Sequence, residues 1–179
     1  MKALKITGIV ILFLLIAILI AGLVLPKSIT IERTEEINAP VGEVYPEVRY
    51  LKNHESWSPW KDYDPNMEVS YEGTDGEVGA VYKWEGNEEV GSGYQKITSI
   101  KPNERVDLDL VFISPWESNA KIYFLFNEEE NTLVTWGYHE VTPLPKNVMM
   151  RVMGVEKMLS KEFDKGLSRL KAKVEEENI

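Results

Sequence analysis

Near its N-terminus the chain carries an uncharged and almost wholly apolar run, Ile6 to Leu25, with the sequence ITGIVILFLLIAILIAGLVL. These 20 residues, at about 1.5 Å rise per residue, form a helix of about 30 Å, which matches the hydrocarbon thickness of a bilayer. A helix that is apolar on every side must be buried in lipid or in a large core. The run predicts a single-pass membrane anchor over residues 1–26, followed by one domain over residues 27–179.

A cleaved signal peptide and a buried core helix are the alternatives to an anchor. The apolar region of a signal peptide is usually about 7–15 residues long and ends in small residues. Cleavage after Ala21 would instead place bulky Leu19 at a small-residue position. Lys2, Lys5 and the α-amino group precede the run, against two nearby cations beyond it. This bias favours a cytoplasmic N-terminus with the domain on the outer face.

Beyond the anchor, apolar and polar residues alternate with the period of a β-strand. SITIERTEEI at 28–37 predicts a first strand, and six further segments from Met67 onward alternate or nearly alternate. They are MEVSYEG, GAVYKWEG, GYQKITSI, VDLDLVFI, NAKIYFLFN and LVTWGYHEV, each bounded by Gly, Pro, Asn or acidic residues. In VDLDLVFI the apolar residues fall on one face and the two aspartates on the other. The pattern predicts consecutive antiparallel strands.

A helical segment separates the first strand from the others. Asn38 and Pro40 predict its start, since an asparagine side chain can accept a hydrogen bond from a free amide and proline suits the first turn. The helix is expected over roughly 40–51, and Pro46 should kink it or delay its start. The following residues, 53–60, are too proline-broken for a long helix.

The last segment, from Pro145 to Glu177, returns to the three- and four-residue spacing of a helix. Its apolar positions are Val148, Val152, Val155, Leu159, Phe163, Leu167, Leu170 and Val174. A single helix of about 28 residues would be about 42 Å long. The predicted fold class is therefore α+β: a seven-stranded curved antiparallel sheet wrapped around a long C-terminal helix, with a cavity between them for a small molecule.

Charge and composition exclude several classes of function. Beyond Leu25 lie 18 of the 20 basic residues and all 29 acidic ones, a net charge of −11, whereas nucleic acid and anionic lipid surfaces are bound through cations. The absence of cysteine excludes disulfides, thiolate nucleophiles and zinc–thiolate sites. His54 and His139 are the only histidines, so a three-histidine metal site is excluded.

Sequence motifs for catalysis are missing as well. No phosphate-binding glycine loop, G-x-S-x-G elbow or H-E-x-x-H segment occurs. We expect His54 and His139 to lie at the surface rather than to act as general bases. No catalytic residue, metal or cofactor is therefore assigned.

The order of elements and the residues between them resemble a known superfamily. The residues are Ile37-Asn38-Ala39-Pro40, Val44, Trp57-Ser58-Pro59-Trp60, Asp64-Pro65, Gly79-Ala80, Tyr82, Trp84-Glu85-Gly86-Asn87, Val90-Gly91, Gly93, Pro102-Asn103, Arg105 and Val134-Thr135-Trp136. They resemble the helix-grip superfamily of START lipid-transfer domains, the birch-pollen allergen and the aromatase/cyclases, often called SRPBCC. The most similar branch is polyketide cyclase/dehydrase-like, with an N-terminal membrane helix. Pro46 and Gln95 depart from its pattern, which usually has an apolar residue at the second position.

The resemblance implies a cavity without fixing its ligand, because such domains share a cavity and differ in what they bind. Aromatic residues at inward strand positions either pack the core or enclose an apolar ligand, and methionine side chains adapt to irregular space. The candidate cavity residues are Trp57, Trp60, Tyr82, Trp84, Gln95, Trp136, Tyr138, Met149 and Met153.

Three functions are compatible with these predictions. The first is a membrane-anchored binding protein for a small apolar ligand, lipid-like or aromatic. The second, by analogy with the family, is a polyketide cyclase/dehydrase-like enzyme. The third is a protein-interaction or stress-response module without a ligand, for which a solid core would be expected in place of a cavity.

Overall fold

Five α-helices, two short 3-10 helices (Leu51–Asn53 and Pro59–Asp62) and seven strands form the part of the chain that the structure, a computed structural model, describes: residues 2–176. The helices are α1 (Lys2–Val24), α2 (Val41–Arg49), α3 (His54–Trp57), α4 (Lys146–Val152) and α5 (Val155–Glu176). The strands are β1 (Ser28–Ile37), β2 (Glu68–Glu72), β3 (Val81–Glu85), β4 (Ser92–Lys101), β5 (Arg105–Ser114), β6 (Ser118–Glu128) and β7 (Thr132–Val141).

All seven strands belong to one antiparallel sheet with the order β1-β7-β6-β5-β4-β3-β2. Strands β2 to β7 follow one another as neighbours, and β1 pairs with β7 at the other edge. The alternation expected in β5 is confirmed, since Val106, Leu108 and Leu110 are buried. The predicted fold class, a seven-stranded sheet around a long C-terminal helix, is confirmed.

The core lies between the concave face of the sheet and α5. Phe163, Leu167, Leu170 and Val174 of α5 are buried there at helical spacing. Trp136 of β7 stacks face to face on Phe163, with ring centroids 4.1 Å apart and an interplanar angle of 4°. This stack fixes the position of the helix over the sheet.

The C-terminal helix is not continuous from Pro145, as its spacing had predicted. Gly154 adopts a left-handed conformation with φ of 66°, and its amide donates to the Arg151 carbonyl at 3.2 Å. A glycine in this conformation ends a helix. Helix α4 is therefore separate from α5, and Val152 and Met153 are exposed instead of packing on the sheet. Glu177, the predicted end, lies outside the described residues.

The start of α2 also differs from the prediction. Pro40 precedes the helix without a side-chain cap, so Asn38 does not fill that role. The Val41 amide donates to Glu128 Oε1 of β6 at 3.0 Å, and the Asn38 backbone amide donates to Glu175 Oε1 of α5 at 2.8 Å. Residues distant in sequence thus replace the local cap.

His54 is buried, which corrects the expectation of a surface residue. Its Nε2 lies 2.6 Å from the Val48 carbonyl oxygen, and its ring packs against Trp57 with centroids 4.7 Å apart. Burial lowers the pKa of His54 to about 4. His139 is half-buried, and its Nδ1 lies 2.9 Å from Thr30 Oγ1.

Helix α1 meets the domain through α4. The Asn147 side-chain amide donates to the Gly22 carbonyl at 2.9 Å, and the Leu144 side chain lies so close to Gly22 that a Cβ would not fit. Within residues 2–176, Lys5–Val24 is the one helix long and apolar enough to cross a membrane. Most of its apolar side chains are exposed.

Candidate functional site

A cavity of about 330 Å³ lies between the concave face of the sheet and the two C-terminal helices. Inward-facing residues of β3 to β7 form one wall, and methionines of α4 together with the first turns of α5 form the other. The loop between β5 and β6 borders it through Pro115 and Trp116.

Eight of the nine predicted cavity residues line this space: Trp60, Tyr82, Trp84, Gln95, Trp136, Tyr138, Met149 and Met153. Trp57 does not. It is buried behind the cavity, where its indole N–H donates to the Glu47 carbonyl at 3.1 Å and its ring packs edge-on against Trp136, with centroids 5.5 Å apart. The Trp57-Ser58-Pro59-Trp60 motif therefore divides, with its first tryptophan in the core and its last at the cavity.

Aromatic rings make up much of the cavity wall. Tyr82 and Trp84 stack with centroids 6.1 Å apart, and Phe112 meets Trp84 edge-on at 5.5 Å. Burial raises the pKa of Tyr82 to about 12, so its phenol remains protonated at neutral pH. Such a wall offers flat apolar surfaces with few charges, which suits an apolar or aromatic ligand.

One side of the cavity is polar, centred on Glu140 at an inward position of β7. Its side chain is 1% exposed and pairs with Lys146 at the start of α4. Ser118 also donates to Oε1, and the Tyr138 hydroxyl donates to Oε2 at 2.7 Å. The pKa of Tyr138 is raised, first by burial and then by the Glu140 charge, so its hydroxyl remains a donor.

Glu140, Lys146 and Ser118 were not among the predicted cavity residues, although Tyr138 was. Glu140 follows Tyr138 by two residues, so the two side chains share one face of β7. The sequence does place an acidic residue at an inward position of this strand. Because a buried charge needs a partner, that position could have indicated a polar cluster. Lys146 could not be assigned to it from sequence, since it belongs to another element.

Two further polar groups at the cavity have no partner of their own. The buried indole N–H of Trp136 finds no hydrogen-bond acceptor within residues 2–176. The side-chain amide of Gln95, which lies opposite Leu110 and Tyr82 in the sheet register, makes no hydrogen bond within the same residues. Buried polar groups are normally paired, so the Trp136 N–H is one place where a ligand's polar atom would be accommodated. The half-buried Gln95 amide at the cavity wall is a second.

Residues 28–175, from β1 to the end of α5, match the model of a family described as "Polyketide cyclase / dehydrase and lipid transport". No functionally curated protein matches the sequence. The resemblance inferred from the sequence is thus confirmed over the whole helix-grip domain.

Several solved structures share the fold. One is protein CV1439 from Chromobacterium violaceum, 15% identical, with a TM-score of 0.58 over 82% of this chain and 96% of that protein. The Aha1 dimer from Colwellia psychrerythraea is 20% identical, with a TM-score of 0.55 over 80% and 93% of the two chains. The two-domain ARO/CYC protein StfQ from the steffimycin biosynthetic pathway is 11% identical, with a TM-score of 0.62 over 84% of this chain and 52% of StfQ. At these identities the likeness establishes the fold.

Proposed function

The chain belongs to the polyketide cyclase/dehydrase and lipid transport family, and on that premise we propose that it is a membrane-anchored binding protein for a small, mainly apolar ligand. Residues 1–26 form the anchor and residues 27–179 the binding domain. The observation that carries the proposal is the cavity of about 330 Å³, whose walls are aromatic and aliphatic and whose few polar groups are localised. A module without a ligand would have filled this space with side chains.

The unpaired polar groups define the ligand more narrowly. The Trp136 indole N–H needs an acceptor, and the Gln95 amide offers both a donor and an acceptor. A pure hydrocarbon would leave the buried Trp136 N–H unpaired, which costs about 1–3 kcal/mol, and would offer no partner to the half-buried Gln95 amide. The ligand we propose is therefore lipid-like or aromatic and carries at least one oxygen atom, as an alcohol, ketone or carboxylic acid does.

The anchor gives the domain access to such molecules. The span Lys5–Val24 is long and apolar enough to cross a bilayer, and the flanking cations favour placing the domain on the outer face. A domain tethered at the bilayer meets lipophilic molecules at a high effective concentration. The tether and the cavity thus support the same function.

Native mass spectrometry of the full-length protein, incubated with the total lipid extract of its source membranes, tests the proposal. Gln95→Trp places an indole inside the cavity, whereas Lys96→Trp adds the same ring to the opposite, exposed face of β4. We expect a stoichiometric bound mass on the wild type and on Lys96→Trp, and its loss from Gln95→Trp.

A second cavity-filling variant makes the result decisive. Met149→Trp on α4 fills the cavity from its other wall and should also abolish the bound mass, so a folding defect specific to β4 would be recognised. The absence of any bound mass from the wild type, or equal binding by all four proteins, would refute the proposal.

A further inference from the structure

Large apolar side chains surround the opening of the cavity and face solvent. Trp116 in the β5–β6 loop is 73% exposed, and on α4 Val152 is 82% and Met153 67% exposed. Met149, also on α4, is 44% exposed. Trp116, Met149 and Met153 line the cavity on their inner sides. We call these four residues the mouth patch; contiguous exposed apolar surface of this kind marks an interaction site.

The position of α4 relative to α1 identifies what covers the mouth patch. Asn147 of α4 donates its hydrogen bond to the carbonyl of Gly22, two residues before the end of α1. At about 1.5 Å per residue, this contact lies about 3 Å from the end of the helix. The first turn of α4 is therefore level with the last turn of the apolar span.

We propose that the mouth patch docks on the bilayer that α1 spans, so that the cavity opens directly toward the lipids. This inference rests on the anchor of the proposed function. A helix held level with the end of a transmembrane segment lies at the boundary between hydrocarbon and headgroups. Exposed valine and methionine are stabilised there by burial, and tryptophan is favoured at that depth.

Within residues 2–176, the mouth patch is not surrounded by unpaired basic residues that would attract anionic lipid: its neighbours Arg151 and Glu156 form an ion pair at 2.9 Å. Glu117 follows Trp116 directly. The domain as a whole is acidic, so electrostatic adsorption to anionic lipid does not hold it at the surface. Docking is therefore apolar, and it should persist at high salt, since salt screens only charge interactions.

Because the chain has no cysteine, single-cysteine variants give site-specific probes of depth. We would label Val152→Cys, Ile16→Cys and Glu130→Cys of the full-length protein with an environment-sensitive fluorophore. The proteins would be placed in phosphatidylcholine nanodiscs with and without doxyl-labelled lipid. Glu130 lies in the β6–β7 hairpin, at the opposite end of the strands from Trp116, about 33 Å away for a strand of ten residues.

Quenching by the doxyl lipid is expected at Ile16 and Val152 and not at Glu130. The Val152 signal should be unchanged in about 1 M salt, where charge interactions are screened beyond about 3 Å. Quenching at Ile16 with none at Val152 would overturn the docking and leave the anchor intact. Loss of the Val152 signal in salt would overturn the apolar mode of docking. An unquenched label at Ile16 would overturn the anchor and this inference with it.

Discussion

Gly166 of α5 lies directly against the indole of Trp136: a Cβ on this glycine would be 2.7 Å from Cζ3 of the ring. The same hypothetical Cβ would be 3.2 Å from Cδ of Pro59. Phe163, three residues before Gly166 on α5, stacks its ring on the indole of Trp136. Because Gly166 has no side chain, α5 can approach the sheet this closely.

Gly166→Ala should therefore destabilise the protein, although alanine favours helix formation. Overpacking costs about 1–3 kcal/mol, offset by about 1 kcal/mol of helix propensity. The matched control is Gly42→Ala in α2, where a Cβ meets nothing within 4 Å. We expect the control to stabilise by about 0.5–1 kcal/mol. Urea unfolding of the full-length protein in detergent measures both, and equal stabilisation by the two substitutions would contradict the contact.

Lys146→Met removes the cation that pairs with the buried Glu140 carboxylate. Leaving a buried charge without its partner costs about 3 kcal/mol, and the double variant with Glu140→Gln should recover much of that loss. The control is Lys121→Met, since Lys121 and its partner Asp109 are 68% and 35% exposed. An exposed pair is worth less than about 1 kcal/mol. Chemical denaturation would show the two lysine variants to be alike if the Glu140 cluster were solvated.

His54 predicts a loss of stability in mild acid. Its pKa is about 4 in the folded chain, lowered from 6.5 chiefly by burial. Between these two values the unfolded chain binds a proton that the folded chain does not, so the stabilisation present above pH 6.5 is lost as the pH falls. The free energy of unfolding should drop by about 2 kcal/mol from pH 7 to pH 5.

His54→Gln, which keeps a side-chain donor near the Val48 carbonyl, should flatten this pH dependence. His139→Gln, which removes the other histidine, is the control: the pH dependence of its unfolding free energy should be that of the wild type. Asp62, whose pKa is lowered from 3.8 to about 2 by Arg169 and Lys165, begins to lose its contribution to stability only below about pH 4. The window from pH 5 to 6.5 therefore isolates His54, and an unaltered slope in His54→Gln would rule it out as the source.

The fold was predictable because its main signals are local and periodic. Alternation places Val106 and Leu108 on one face of β5 regardless of what the rest of the chain does. Helical spacing in the same way identified Phe163 and Leu167 as core residues. Gly154 was overlooked because the apolar spacing continues through it, while its left-handed conformation depends on where α4 packs.

The site was less predictable because its polar parts join distant elements. Glu140 of β7 is paired with Lys146 of α4 and Ser118 of β6, in contacts that no local rule contains. Inward parity correctly located Tyr82 and Trp136 at the cavity wall. Trp57 is the last residue of the short helix α3, where the alternation of a strand does not apply, so the direction of its side chain could not be inferred.

The most direct test of the central claim, that the cavity holds an oxygen-bearing apolar ligand, is the indole N–H resonance of Trp136. The spectrum would be recorded by ¹H–¹⁵N NMR on tryptophan-labelled, delipidated full-length protein in detergent. The five tryptophans give five indole signals, with Trp136→Phe providing the assignment. During titration with the total lipid extract, the Trp136 resonance should shift while that of Trp57, bonded to Glu47, stays in place. A Trp136 resonance that does not move at saturating extract would contradict the account.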